Sequence, residues 1–180
     1  MKSILIVAVA IGACALLSAC SLAQRYMPGA TMSDADVLGV FNSINRSEVD
    51  AGQLARERAS SEEVRAYASR MVKEHDAKLQ ETSQLAQRIR MEPHQTALAA
   101  SVDNTHHKAM ANLREKKGPH FDKAYMKYQI KMHEQSVDLV KDMADAVNDR
   151  QFHRFLQEIR PELQSHLASA QTIQRHVRNQ

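Results

Sequence analysis

Residues 126–144 read MKYQIKMHEQSVDLVKDMA, and this stretch decides the fold class. Apolar side chains recur at steps of three and four: Met126, Ile130, Val137, Val140 and Ala144, then Val147. That period lines one face of an α-helix, and His133 sits in the middle of the same face. Three further segments repeat the pattern. Residues 34–58 carry Val37, Phe41, Ile44, Glu48, Ala51 and Ala55, and residues 61–90 carry Val64, Ala68, Met71, His75, Leu79, Ala86 and Ile89. Residues 149–177 carry Phe152, Leu156, Ile159, Leu163, His166, Ala170, Ile173 and Val177. The chain beyond residue 33 is poor in Gly, Pro and β-branched residues and rich in Ala, Leu, Glu, Gln, Lys and Arg, a helical composition. Four amphipathic helices of this length predict an all-α four-helix bundle. Val37, Phe41, Ile44, Leu79, Val137, Val140, Leu156, Ile159 and Leu163 are expected in one core.

The punctuation agrees. Ser33 is placed to cap the first helix, with Asp34 and Asp36 in its first turn, where the helix dipole favours negative charge. Ser60 or Ser61 is placed to cap the second, followed by Glu62 and Glu63. Helices three and four are expected over residues 119–147 and 149–177. A long connection opens near Pro93, holds a short helix over residues 104–116 and stops at Gly118-Pro119. Two tight hairpins joined in this way fit the long crossover of ferritin-like bundles. They also fit an up-down bundle whose connecting helix caps one end.

The N-terminal segment reads differently. Lys2 precedes an apolar run over residues 4–17, too short for a permanent membrane span, and Leu17-Ser18-Ala19-Cys20 closes it. This order resembles the lipobox of bacterial lipoproteins. The resemblance implies a signal peptide over residues 1–19, an acylated Cys20 with a tether over residues 20–33, and a bundle domain over residues 34–180. Ser21 stands where such lipoproteins carry an Asp for inner-membrane retention, so the expectation is outer-membrane anchoring on the periplasmic side. The only cysteines are Cys14 and Cys20, so the bundle has no disulfide and no thiolate metal site.

Formal net charge is +3 with a pI near 8.9, but the signs are interspersed along the helices and Trp is absent. That surface suits anionic lipid, the cell wall or an envelope protein partner. It offers no aromatic platform for stacking bases, and no nucleic-acid partner is expected.

One ionisable residue interrupts each apolar stripe: Glu48, His75, His133 and His166. Counted from the hairpin turns at 1.5 Å per residue, they stand roughly 18, 22, 23 and 26 Å along the bundle, all near its middle. Buried there without partners they would cost several kcal/mol, roughly, so they must meet one another, water or a metal. One carboxylate and three imidazoles suit a single Zn, Fe, Cu or Mn ion. Glu162, one turn before His166, is a candidate additional ligand or supporting partner, and Pro161 beside it removes a helical hydrogen bond. The alternative is a hydrogen-bonded core network that fixes register and binds nothing, in a non-catalytic interaction or stress-protection module. His106-His107-Lys108 reads as a solvated basic face, and Met71, Met126, Met132 and Met143 as core filling. No nucleophile signature, phosphate loop or zinc-protease helix is present, so the residues assign no reaction.

Several stretches together carry a family resemblance. They are Ser47-Glu48-Val49 with Leu54-Ala55, Val64 to Ala68 followed by Met71-Val72-Lys73-Glu74-His75, Phe121-Asp122 with Tyr125, His133, and Pro161-Glu162-Leu163 with His166-Leu167. In this order they resemble the bacterial domain-of-unknown-function family numbered four-one-four-two, described as predicted outer-membrane proteins. The resemblance implies a ferritin-like bundle in the Gram-negative envelope and no defined activity. The chain lacks the Glu-x-x-His pairs of di-iron bundles, so a single ion fits better than a di-iron centre.

Overall fold

The computed structural model describes residues 32–178; the expected leader, Cys20 and most of the expected tether lie outside them. The described residues form five α-helices and no strand: α1 (Asp34–Arg58), α2 (Glu62–Ile89), α3 (Ala97–Arg114), α4 (Gly118–Ala146) and α5 (Arg150–Arg178). Ser33 caps α1 as expected, in a reciprocal box with Asp36. The connecting helix is longer than expected. Thr96 caps it by accepting the Ala99 N–H at 3.0 Å, so α3 begins at Ala97 and not near residue 104.

Two helical hairpins, α1–α2 and α4–α5, form the body, and α3 packs along α1 and more lightly on α4. Each hairpin turn is held by a carboxylate from the other hairpin. Asp34 accepts the N–H groups of Asn148 and Asp149, both at 2.8 Å, at the α4–α5 turn. Asp122 accepts the N–H groups of Ser60 and Ser61 at 3.0 and 2.8 Å, and the Ser60 hydroxyl, at the α1–α2 turn. Ser61 stands at the cap position of α2, but its side chain makes no capping bond; its own N–H is taken by Asp122 from across the bundle.

These ties run α4 antiparallel to α1. His176 reaches Glu63 at 3.0 Å, which sets the end of α5 against the start of α2. His94 meets Ala35 and Asp36 at one end of α1, and the Arg114 carbonyl accepts from Arg58 at the other. The 91–117 connection therefore traverses the bundle and does not cap one end.

The core is not the single cluster that the stripes suggest. One apolar cluster gathers Val37, Phe41, Ile44, Val140, Leu156, Ile159 and Leu163, with Val137 packed against it. A second gathers Ala51, Ala55, Val64, Ala68, Met71, Tyr125, Met126 and Val177. Leu79 is only half-buried and joins neither. Between the clusters lie the buried polar residues Asn45, Glu48, His75, Gln129, His133 and His166. The four methionines singled out above are buried, as core filling requires.

Two glycines permit close approach. A Cβ on Gly39 would stand 1.8 Å from the His94 carbonyl oxygen, and one on Gly52 would stand 2.7 Å from Val72 Cγ2. Gly39→Ala must therefore push the connection off α1. The expected cost is about 1–3 kcal/mol in urea denaturation, the range for overpacking; unchanged stability would contradict the close approach.

Candidate metal centre

The three core histidines come from α2, α4 and α5 and converge. Their ring centroids stand 5.2 Å (His133–His166), 5.4 Å (His75–His166) and 5.8 Å (His75–His133) apart. One ring nitrogen from each lies within 4.8 Å of the others, and all three side chains are buried. His133 Nε2 and His166 Nδ1 are 3.2 Å apart. Nitrogens bound at about 2.0–2.1 Å in a tetrahedral shell stand about 3.3 Å apart, so this pair already has ligand spacing.

The outer nitrogens fix the tautomers. His133 Nδ1 lies 2.9 Å from the Gln129 carbonyl oxygen, which only accepts, so Nδ1 carries the hydrogen. His75 Nδ1 lies 2.8 Å from Asn45 Oδ1, and Asn45 is oriented by its amide group, which donates to the Phe41 carbonyl at 2.8 Å. His75 Nδ1 is therefore also a donor. His166 Nε2 donates to Glu74 Oε2. Partial burial works to raise the Glu74 carboxyl, but hydrogen bonds from His166 and Arg70 outweigh it and hold the group below its usual range, ionised. Each ring donates outward, so His75 Nε2, His133 Nε2 and His166 Nδ1 present lone pairs inward. His75 Nε2 has no hydrogen-bond partner, and His133 Nε2 and His166 Nδ1 face each other as two acceptors.

Protonation is not the easy remedy. Burial, reinforced by the neighbouring imidazoles His133 and His166, pushes His75 well below the usual histidine range. Burial, with the His133 charge adding to it, lowers His166 to about 4 despite the Glu74 carboxylate. Three imidazoles whose ring nitrogens converge form a site that a soft or borderline cation satisfies.

Glu48 lies beside this group and outside it. Its Oε2 accepts from Gln129 Nε2 at 2.7 Å, and its Oε1 is buried without a partner. Burial raises the Glu48 carboxyl, against the pull of His133 and the Gln129 hydrogen bond. Gln129 is the joint: its side-chain oxygen lies 3.2 Å from the Tyr67 hydroxyl, and its backbone carbonyl holds His133. Glu162 is half-buried and pairs with Lys78 at 3.3 Å. One oxygen from each of Glu74 and Glu162 and a nitrogen of His166 also lie within 4.8 Å of one another.

Asn45, Glu74 and Gln129 were not singled out from the sequence as site residues. Gln129 stands one turn before His133 and Asn45 one turn before Glu48, and those spacings were the available signal. His106 departs from the solvated face expected of it. It is buried, 2.8 Å from Asp50 Oδ2 and 3.1 Å from the Tyr128 hydroxyl, and ties α3 to α1 and α4; His107 and Lys108 are exposed.

Residues 20–173 match the family described as Domain of unknown function (DUF4142). The chain belongs to this family. No curated protein matches it. Among solved structures, one titled "CopM in the Cu(II)-bound form" superposes with a TM-score of 0.63 at 11% identity, covering 82% of this chain and 99% of that one. At that identity the likeness is one of fold. The DUF4142 chain and that protein share an all-helical architecture over nearly the whole of the latter.

The burial shifts set the acid behaviour of the metal-free protein. In the unfolded chain a histidine takes its proton near pH 6.5, while folded His75 and His166 resist it, so the unfolded state binds more protons as pH falls below 6.5. Stability is expected to fall as pH drops from 6.5 through about 4, the His166 value, in chemical denaturation. Glu48 works in the opposite sense, because its raised pKa lets the folded state take a proton first. Glu48→Gln is accordingly expected to stabilise the protein at pH 8 and to steepen the acid-side loss. A variant no more stable at pH 8 and equally sloped would contradict the buried-charge account.

Proposed function

We propose that this DUF4142 protein is an envelope metal-binding protein that holds one transition-metal ion in its core through His75 Nε2, His133 Nε2 and His166 Nδ1. The observation that carries this reading is the set of three buried, inward lone pairs whose tautomers are fixed from outside, with no donor among them. A hydrogen bond from the outward ring nitrogen to a fixed acceptor is how histidine ligands are held for metal. Imidazole sets suit copper and zinc better than manganese, which favours oxygen ligands. Copper is preferred here, and the fold neighbour whose title names bound Cu(II) supports that preference. Glu48 supplies negative charge beside the ion without ligating it.

We read the bundle as ferritin-like, because the connection that carries α3 traverses its length. The lipobox-like Leu17-Ser18-Ala19-Cys20 supports placement on the periplasmic face of the outer membrane, anchored by lipid. Anchoring and the core site together suit storage or sensing of an envelope metal. A second reading, a polar core that is purely structural, is favoured by Gln129, which links Glu48, Tyr67 and His133 without any ion.

Elemental analysis of protein made without a histidine tag separates the two readings. One equivalent of copper or zinc is expected after loading and desalting. A free ion at a hundred times its Kd should add about 2.7 kcal/mol of stability in melts. His133→Ala should lose both responses, and exposed His120→Ala should keep them. No retained ion and no shift in melting would leave the structural reading standing.

A further inference from the structure

The three-histidine layer is buried, so an ion needs a way in, and one face of the layer supplies it. A cavity of about 20 Å³, enough for one water molecule, is lined by Asn45, His75, Lys78, Glu162 and His166 among apolar neighbours. It joins buried His75, whose Nε2 has no hydrogen-bond partner, to the half-exposed carboxylate of Glu162. His166 is shared between two groups of donor atoms. One is the inner set with His75 and His133; the other is an outer set with Glu74 and Glu162. The ring spans the boundary, with Nδ1 facing His133 and Nε2 facing Glu74.

We infer that Glu162, Glu74 and His166 form the entry to the inner histidine site, with the Lys78–Glu162 ion pair as its gate. This inference rests on the metal-binding reading above and extends it to how the ion arrives. Lys78 is suited to gating because it has two partners. It lies 3.3 Å from Glu162 on α5 and 3.1 Å from Glu81, one turn along its own helix. An incoming cation that takes Glu162 displaces the Lys78 ammonium, which keeps Glu81. Glu162 exchanges one cation for another, and the displaced ammonium is left paired. Glu74 is held in place from the outer side by Arg70 at 3.0 Å. The backbone beside the gate is loosened, since Pro161 has no N–H to give to the Gln157 carbonyl and α5 lacks a rung one residue before Glu162.

The test is the rate of Cu(II) uptake by the metal-free full-length protein, followed by stopped-flow quenching of tyrosine fluorescence, with bound copper measured by equilibrium dialysis. Glu162→Gln is expected to slow uptake about tenfold or more, the scale of electrostatic focusing in a charged cleft, while still binding one ion at equilibrium. Lys78→Met, which removes the gate, should speed uptake. Glu158→Gln, exposed on the same helix, should leave the rate unchanged. Circular dichroism checks that each variant is folded. Normal wild-type uptake with an unaltered rate in Glu162→Gln, or an equal slowing in Glu158→Gln, would overturn the entry and leave the inner site intact. A wild-type protein that takes up no copper would overturn the inner site and the entry together.

Discussion

Burying three imidazoles in one layer of a helical bundle is tolerable only if all six ring nitrogens are accounted for, and much of this structure follows from that constraint. An unpaired polar atom in an apolar interior costs on the order of 1–3 kcal/mol, and the layer here is sealed above and below by apolar clusters. Three nitrogens are satisfied outward by three different acceptors: the Asn45 amide oxygen, the Gln129 carbonyl and the Glu74 carboxylate. Each acceptor is itself held, by the Phe41 carbonyl, by the α4 backbone and by Arg70 respectively. The remaining three nitrogens point at one another. A structural polar core would be expected to place donors against acceptors; this one places lone pair against lone pair.

The long elements and the histidines were legible because both are matters of period. A stripe at steps of three and four, interrupted by one ionisable residue near mid-helix, identifies His75, His133 and His166 without reference to any other helix. What was not legible depends on angles between helices. Glu74 precedes His75 by one residue and so stands about 100° round α2, which reads as solvent-facing until α5 is set beside it. Glu48 shares the stripe of its own helix, yet its carboxylate is taken by the Gln129 side chain from α4 and it stands outside the group of three histidines. Ser61 has the local signature of a cap, but its side chain makes no capping bond and its N–H goes to Asp122, sixty-one residues away. His106, His107 and Lys108 look alike as a basic run, and only the turn of α3 puts the first inside and the other two out.

The position of the layer matters as much as its composition. His75 and Asn45 belong to the first hairpin, and His133, Gln129 and His166 belong to the second. Direct ties between the hairpins lie at their turns, where Asp34 and Asp122 reach across, and at mid-height, where Glu74 meets His166 and Lys78 meets Glu162. Gln129 adds a further mid-height link, bonded to Glu48 and Tyr67 of the first hairpin. A cation held by His75 together with His133 and His166 would add a cross-link between the hairpins at that level. Its binding free energy would act on hairpin docking, since the separated hairpins hold only part of the ligand set. The crossover makes this arrangement consistent. By returning the chain to the far end before α4 begins, α3 sets α4 antiparallel to α1 and α5 antiparallel to α2. That brings a histidine near the middle of each of α2, α4 and α5 to one level, although they lie roughly fourteen, sixteen and seventeen residues into their helices, or about 21–26 Å.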